Sequence, residues 1–289
     1  MDYERWCAQT IEELGEEDIA AVSLACAVGL PGSENLQIPA CLARLDEWTD
    51  RVRLGIENAL RNRPMLPEYD HLSESEYRIV TMFFVLYRHL GVTCNLDCQD
   101  PTKPFDGRDS RIHFIHAVLT DRCPVTCCTA PVVVASIGGR LGYPIKLVKA
   151  REHILCRWDD PNGVRFNIEA TDQGYHRKTD EYYHNWPKPV SADTIRVGGF
   201  LVSLNPRQDL SVFLNLRGVC LLENLRLAEA EEAFYYSCQV DQGAHFHFNY
   251  WKIATLIRRA QQASPSRDPA EWRIPTPGKE PCIRQRAGS

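Results

Sequence analysis

The chain has 289 residues and carries 33 Lys and Arg against 38 Asp and Glu, a net charge of −5 at neutral pH. With 44% apolar and 25% charged residues it has the make-up of a folded globular protein, which excludes a disordered, collagen-like or coiled-coil chain. The acidic balance argues against nucleic acid or an anionic membrane as the main partner.

The first residues include Asp2, Glu4, Glu12 and Glu13, unlike the basic start of a secretory signal. The longest apolar stretch, Ile19 to Leu30, is too short to cross a bilayer and contains Ser23. The expectation is a cytoplasmic protein with no membrane partner, in which the twelve Cys are mostly free thiols filling small apolar gaps.

Up to about residue 110 the pattern is helical. Leu42, Leu45, Trp48, Val52, Ile56 and Leu60 recur in steps of three and four and predict one buried helix face. Ser73 to Glu76 has capping-box spacing. It opens a second helix through Ile79, Met82, Phe83, Leu86 and Leu90, with Gly91 as its stop. Residues 97–110, rich in Asp, Pro and Gly, read as a loop. From 111 to 195 the character changes. An apolar helix from Pro131 to Leu141 ends at Gly142 and a strand follows at Ile145–Lys149. Residues 153–158 and 164–170 flank an Asp-Asp-Pro-Asn-Gly turn, the pattern of a hairpin. Residues 196–264 turn helical again. Gly218, Leu221, Ala230 and Phe234 occupy the small and large packing positions of a tetratricopeptide repeat, with a partial second repeat at Phe248 to Ile257. One such repeat cannot bury its face alone and must lean on the core. Residues 265–289 hold five Pro and no periodicity, and are expected to be a flexible tail.

Three features carry chemistry. Proline is tolerated in a helix only in the first turn, so Pro131 places a helix start close to Cys127 and Cys128. A thiol there feels the positive end of the helix dipole, which favours the nucleophilic thiolate. His153 lies on the first hairpin strand and Glu169 on the return strand. Side chains alternate faces along a strand, so His153, Leu155 and Arg157 share a face, as do Arg165, Asn167 and Glu169. A five-residue loop Asp159–Gly163, symmetric about Pro161, pairs His153 directly with Glu169 and Arg157 with Arg165. A slip of two keeps His153 and Glu169 on one face; a slip of one separates them. A carboxylate beside His fixes its tautomer and stabilises imidazolium, the orienting role in a nucleophile–base–acid triad. Backbone N–H groups at the helix start are the expected oxyanion donors.

The order of these pieces resembles the transglutaminase-like superfamily of papain-type cysteine enzymes. The matching residues are Cys127 or Cys128 before an apolar helix, then Leu141-Gly142-Tyr143-Pro144, then His153, then Glu169-Ala170-Thr171. Residues 131–148 and 156–171 are similar to the bacterial SirB-type branch, which joins a helical N-terminal region, this core and a tetratricopeptide tail. The resemblance spans roughly residues 15 to 260. It implies an α+β fold and catalysis by Cys127, His153 and Glu169. Cys128 is the alternative nucleophile; the branch's Cys four residues before Pro favours Cys127. The family acid is usually Asp, here Glu169, and the residue two before the Cys is often Gly, here Val125.

Cys94-x3-Cys98 and Cys123-x3-Cys127 lack the C-x2-C spacing of structural zinc, and His245 and His247 read as packing or capping residues, so no metal and no cofactor is expected. Tyr182, Tyr183 and Trp186 are expected to cover the sheet, and Gly138-Gly139 to allow close helix packing. The expected activity is thiol-based acyl transfer on a peptide or protein amide, with peptide hydrolysis ahead of transamidation. A protein partner would use the repeat region. The competing class is a non-catalytic binding module.

Overall fold

A computed structural model describes residues 3–96, 106–172, 175–187, 189–241 and 245–263. Three short helices open it: α1 (Tyr3–Ala8), α2 (Ile11–Glu16) and α3 (Ile19–Ala27). The long helix α4 (Ile38–Asn62) begins four residues ahead of the predicted apolar stripe, with Pro39 in its first turn, and buries Cys41, Leu45, Trp48, Val52 and Ile56. Helix α5 (Glu74–Phe84) starts at the predicted capping box: the Ser73 hydroxyl accepts from Glu76 N–H, and the Glu76 carboxylate accepts from Ser73 N–H.

The second predicted helix does not run uniformly to Leu90. It widens into a π-helical turn over Val85–His89 before Gly91, whose φ of +71° ends it. Gly55 of α4 makes room for this turn, since a Cβ there would lie 2.6 Å from Val85 Cγ2. The turn carries Tyr87, whose hydroxyl donates to the Ala170 carbonyl at 2.8 Å.

Helix α6 (His116–Thr120) precedes α7 (Ala130–Arg140), which has Pro131 in its first turn as expected. The antiparallel sheet follows, in the order β1 (Ile145–Ala150), β2 (His153–Asp159), β3 (Arg165–Ile168). Gly138 lets α7 approach it: a Cβ there would sit 2.6 Å from Ile145 Cδ1, whereas at Gly139 it would meet open space. The buried Cys156 thiol donates to the Pro131 carbonyl, joining β2 to the first turn of α7. The segment around Leu201 to Leu204 runs along the outer edge of β1 through Leu201 N–H to Lys149 O and Leu204 N–H to Leu147 O.

The β2–β3 register differs from the expected one by two. Asp159 pairs with Arg165 and Arg157 with Asn167, so partners sum to 324 and Arg157 does not face Arg165. The cause is the turn. Asp160 N–H donates to Val164 O, Gly163 N–H to Asp160 O, and Gly163 takes φ +97°, which centres the loop on Asn162 instead of Pro161. Strand β3 ends at Ile168, and Glu169 bridges to His176.

Helices α8 (Asp180–Asn185) and α9 (Ala192–Gly198) lead to α10 (Pro206–Glu223), α11 (Leu227–Val240) and α12 (His245–Ala263). The predicted small–large contact is present: a Cβ on Gly218 would lie 2.5 Å from the Phe234 ring. The molecule is α+β, rich in helix, and one apolar core runs from the N-terminal helices through α7 and the sheet to α10 and α11. Among the described residues no helix is long and apolar enough to cross a membrane. The proposed tail, the side chains of His245, His247 and Phe248, and Cys98 lie outside the described residues.

Candidate active site

Thr126 and Thr129 shape the turn that holds the two cysteines. Thr126 N–H donates to the Thr129 hydroxyl at 2.8 Å, and Cys128 N–H donates to the Thr126 hydroxyl at 3.1 Å. The N–H groups of Thr129 and Ala130 both reach the Thr126 carbonyl. The N–H groups of residues 128, 129 and 130 are therefore occupied within the turn and are not free for an oxyanion.

Cys127, His153 and Glu169 come together. His153 Nε2 lies 2.9 Å from Glu169 Oε2, and both side chains are almost fully buried. In the observed register Glu169 is a diagonal neighbour of His153, not a direct cross-strand partner, and the shared face still brings them into contact. With Nε2 held by the carboxylate, Nδ1 is the ring nitrogen left for the hydrogen bond between His153 and Cys127.

Glu169 is fixed from all sides. Oε2 also accepts from the Tyr183 hydroxyl at 2.7 Å, and Oε1 accepts from the Thr171 N–H at 3.0 Å and its hydroxyl at 2.7 Å. Burial pushes the carboxyl pKa up, but the bond from His153 and these donors override it and hold it down at about 2. For His153, burial pushes the pKa down, and the hydrogen bonds with Cys127 and Glu169 reverse that and raise it to about 10. Cys127 sits well below the ordinary thiol range. The Cys128 side chain hydrogen-bonds its sulfur, and the bond from His153 adds to that effect against the cost of burial. The arrangement places a thiol of lowered pKa beside an imidazole of raised pKa that a carboxylate braces. Cys127 lies at the imidazole with Cys128 beside it, and both cysteines border the same cavity.

Tyr183 and Trp186 enclose the imidazole as well as covering the sheet. Tyr183 lies near-parallel to the ring at 6.0 Å between centroids, and Trp186 meets it edge-on at 4.7 Å. The Tyr183–Glu169 bond had no signal in the sequence, because it joins a short helix to a strand end with no shared periodicity. Arg157, 1% exposed, anchors that helix. Its guanidinium reaches Asn167 Oδ1 at 2.7 Å, Asp180 Oδ1 at 2.6 Å and the Leu201 carbonyl at 3.0 Å.

A cavity of about 170 Å³ opens on the sulfur side of this group and is bordered by Cys127, Cys128 and His153. Val212, Asn215 and Leu216 of α10 and Tyr250 of α12 also line it. His113 also borders it. Its Nε2 bonds the Gly107 carbonyl, and burial lowers its pKa to about 4, so it is neutral at pH 7. Neither His113 nor the α10 wall was identified from the sequence.

The described residues contain no group of three or more His, Cys, Asp or Glu placed to hold a metal ion. No protein-family model, curated protein or solved structure matches this chain.

Proposed function

We propose that the protein is a cysteine-dependent acyl-transfer enzyme acting on a peptide or protein amide, with the transglutaminase-like core that its motif order resembles. The observation that carries this reading is the hydrogen-bonded chain Cys127–His153–Glu169, closed by Tyr183 and Thr171 and open to a cavity. In the first half-reaction the Cys127 thiolate attacks the carbonyl carbon and forms a C–S bond, and the π electron pair moves to oxygen. The His153 imidazolium gives its proton to the leaving nitrogen, the C–N bond breaks, and an amine departs from the thioester. In the second, neutral His153 takes a proton from water, whose oxygen attacks the thioester. Collapse yields the carboxylic acid and restores the thiolate–imidazolium pair. An amine in place of water yields a transamidated product. Hydrolysis is preferred because it needs no second substrate site.

Thiol reactivity tests this. Iodoacetamide at neutral pH is expected to label Cys127 at least about tenfold faster than any other cysteine, since the thiolate is the reacting form. Cys127→Ala should abolish the fast phase and Cys128→Ala should retain one. Equal rates across the cysteines, read by peptide mapping, would leave only the non-catalytic binding module.

A further inference from the structure

An attacked carbonyl develops negative charge on oxygen, and a site that accelerates the attack places hydrogen-bond donors there. The N–H groups of Cys128, Thr129 and Ala130 already have partners in Thr126. On α10, Asn215 is 7% exposed, and its Nδ2 is shut off from solvent with no hydrogen-bond partner. A buried unpaired amide of this kind costs about 1–3 kcal/mol, so the fold alone gives no reason for it. Asn215 borders the same cavity as Cys127 and His153. The last torsion of an Asn side chain is broad, so a modest rotation turns the carboxamide toward a group arriving there. Val212, Leu216 and Val219, at steps of four and three along α10, line the same wall with apolar surface.

We propose that Asn215 is a catalytic residue whose Nδ2–H hydrogen-bonds the carbonyl oxygen of an uncharged acyl group that Cys127 attacks, with the apolar face of α10 holding the acyl chain. This rests on the acyl-transfer reading above and adds to it a donor from the C-terminal helices. With p-nitrophenyl acetate as probe, the Cys127 sulfur bonds to the carbonyl carbon, the electron pair passes to the oxygen facing Asn215, and collapse breaks the C–O bond and releases p-nitrophenolate. Water then cleaves the thioester to acetate and regenerates the thiolate. Iodoacetamide reacts with the same sulfur at a saturated carbon, where no oxyanion forms.

The two reagents separate the roles in the full-length protein. In Asn215→Ala and Asn215→Leu, the p-nitrophenolate burst rate is expected to fall about 100-fold, the usual effect of removing one such donor. The rate of Cys127 alkylation by iodoacetamide should stay within twofold, which also reports that the site has folded. The leucine variant replaces an unpaired buried amide with an apolar group and should melt no lower than wild type. An undiminished burst in both variants overturns the proposal. So does a wild type whose Cys127 is alkylated rapidly but never acylated, and that result leaves the thiolate reading intact. If Cys127 shows neither fast alkylation nor acylation, the acyl-transfer reading fails and this proposal fails with it.

Discussion

Cys128 does more at this site than duplicate its neighbour. Its hydrogen bond is the largest influence holding the Cys127 thiol low, ahead of the bond from His153. Cys128→Ala should therefore keep the nucleophile and move its titration upward, with the rise in iodoacetamide rate beginning at higher pH than in wild type. A profile that superimposes on wild type would show that the Cys128 thiol does not influence the nucleophile. The signs fix the working window. A lowered thiol pKa means thiolate is present from well under pH 9 upward, and His153, raised to about 10, keeps its proton until the pH passes that value. Amide turnover, which needs both charged forms, should fall as pH rises through about 10, whereas alkylation should not. Much of this group was legible from residue types alone. Pro131 located the helix start, and strand parity put His153 and Glu169 on one face even though the register is shifted by two. The Cys127–Cys128 bond was not legible, because it depends on χ angles within a turn shaped by Thr126 and Thr129.

The elements behind the site are held by close approaches that leave a mark in the sequence, and others that leave none. Gly218 marks the α10–α11 contact, and the Phe234 ring fills the space where its Cβ would be. The Phe234 ring is fully buried and stacks on Tyr250, with 5.4 Å between centroids, and Tyr250 lines the cavity. Gly218→Ala gains about 1 kcal/mol of helix propensity. It also forces a methyl against rigid ring carbons, an overpacking cost of about 1–3 kcal/mol. The steric effect should win, because ring atoms at 2.5, 2.6 and 2.8 Å cannot yield as a flexible chain end would. The expected result is a net loss of up to about 2 kcal/mol in urea unfolding. A gain in stability would mean that α10 and α11 separate easily. The hairpin turn shows the opposite case. Asp160 to Gly163 announces a turn, yet its centre is decided by which amide closes it, and composition does not encode that.

At the scale of the whole molecule, the segments distinguished by composition do not act separately. Residues 111–195 supply Cys127, His153 and Glu169, but α10 and α12 also line the cavity. The N-terminal helices close against α10 in turn. Arg217, 4% exposed, donates to the Tyr3 hydroxyl at 2.8 Å and to the carbonyls of Cys26 and Val28 at the end of α3, at 2.9 and 2.7 Å. Those carbonyls lie where a helix runs out of its own donors, so Arg217 takes the place of a cap. Tyr3 also stacks on Tyr236 of α11 at 4.9 Å. Sequence separations of about 190 to 214 residues make this clamp invisible to any local pattern. Arg217→Met keeps most of the apolar stem but strands the buried Cys26 carbonyl, the Val28 carbonyl and the Tyr3 hydroxyl, a loss of about 2–4 kcal/mol. The urea midpoint should fall accordingly. Because α10 also carries Asn215, loosening it should slow acylation of Cys127 by p-nitrophenyl acetate more than alkylation by iodoacetamide. A midpoint unchanged in Arg217→Met would mean that α1 to α3 only rest on the core, and that the cavity wall is held by α11 and α12 alone.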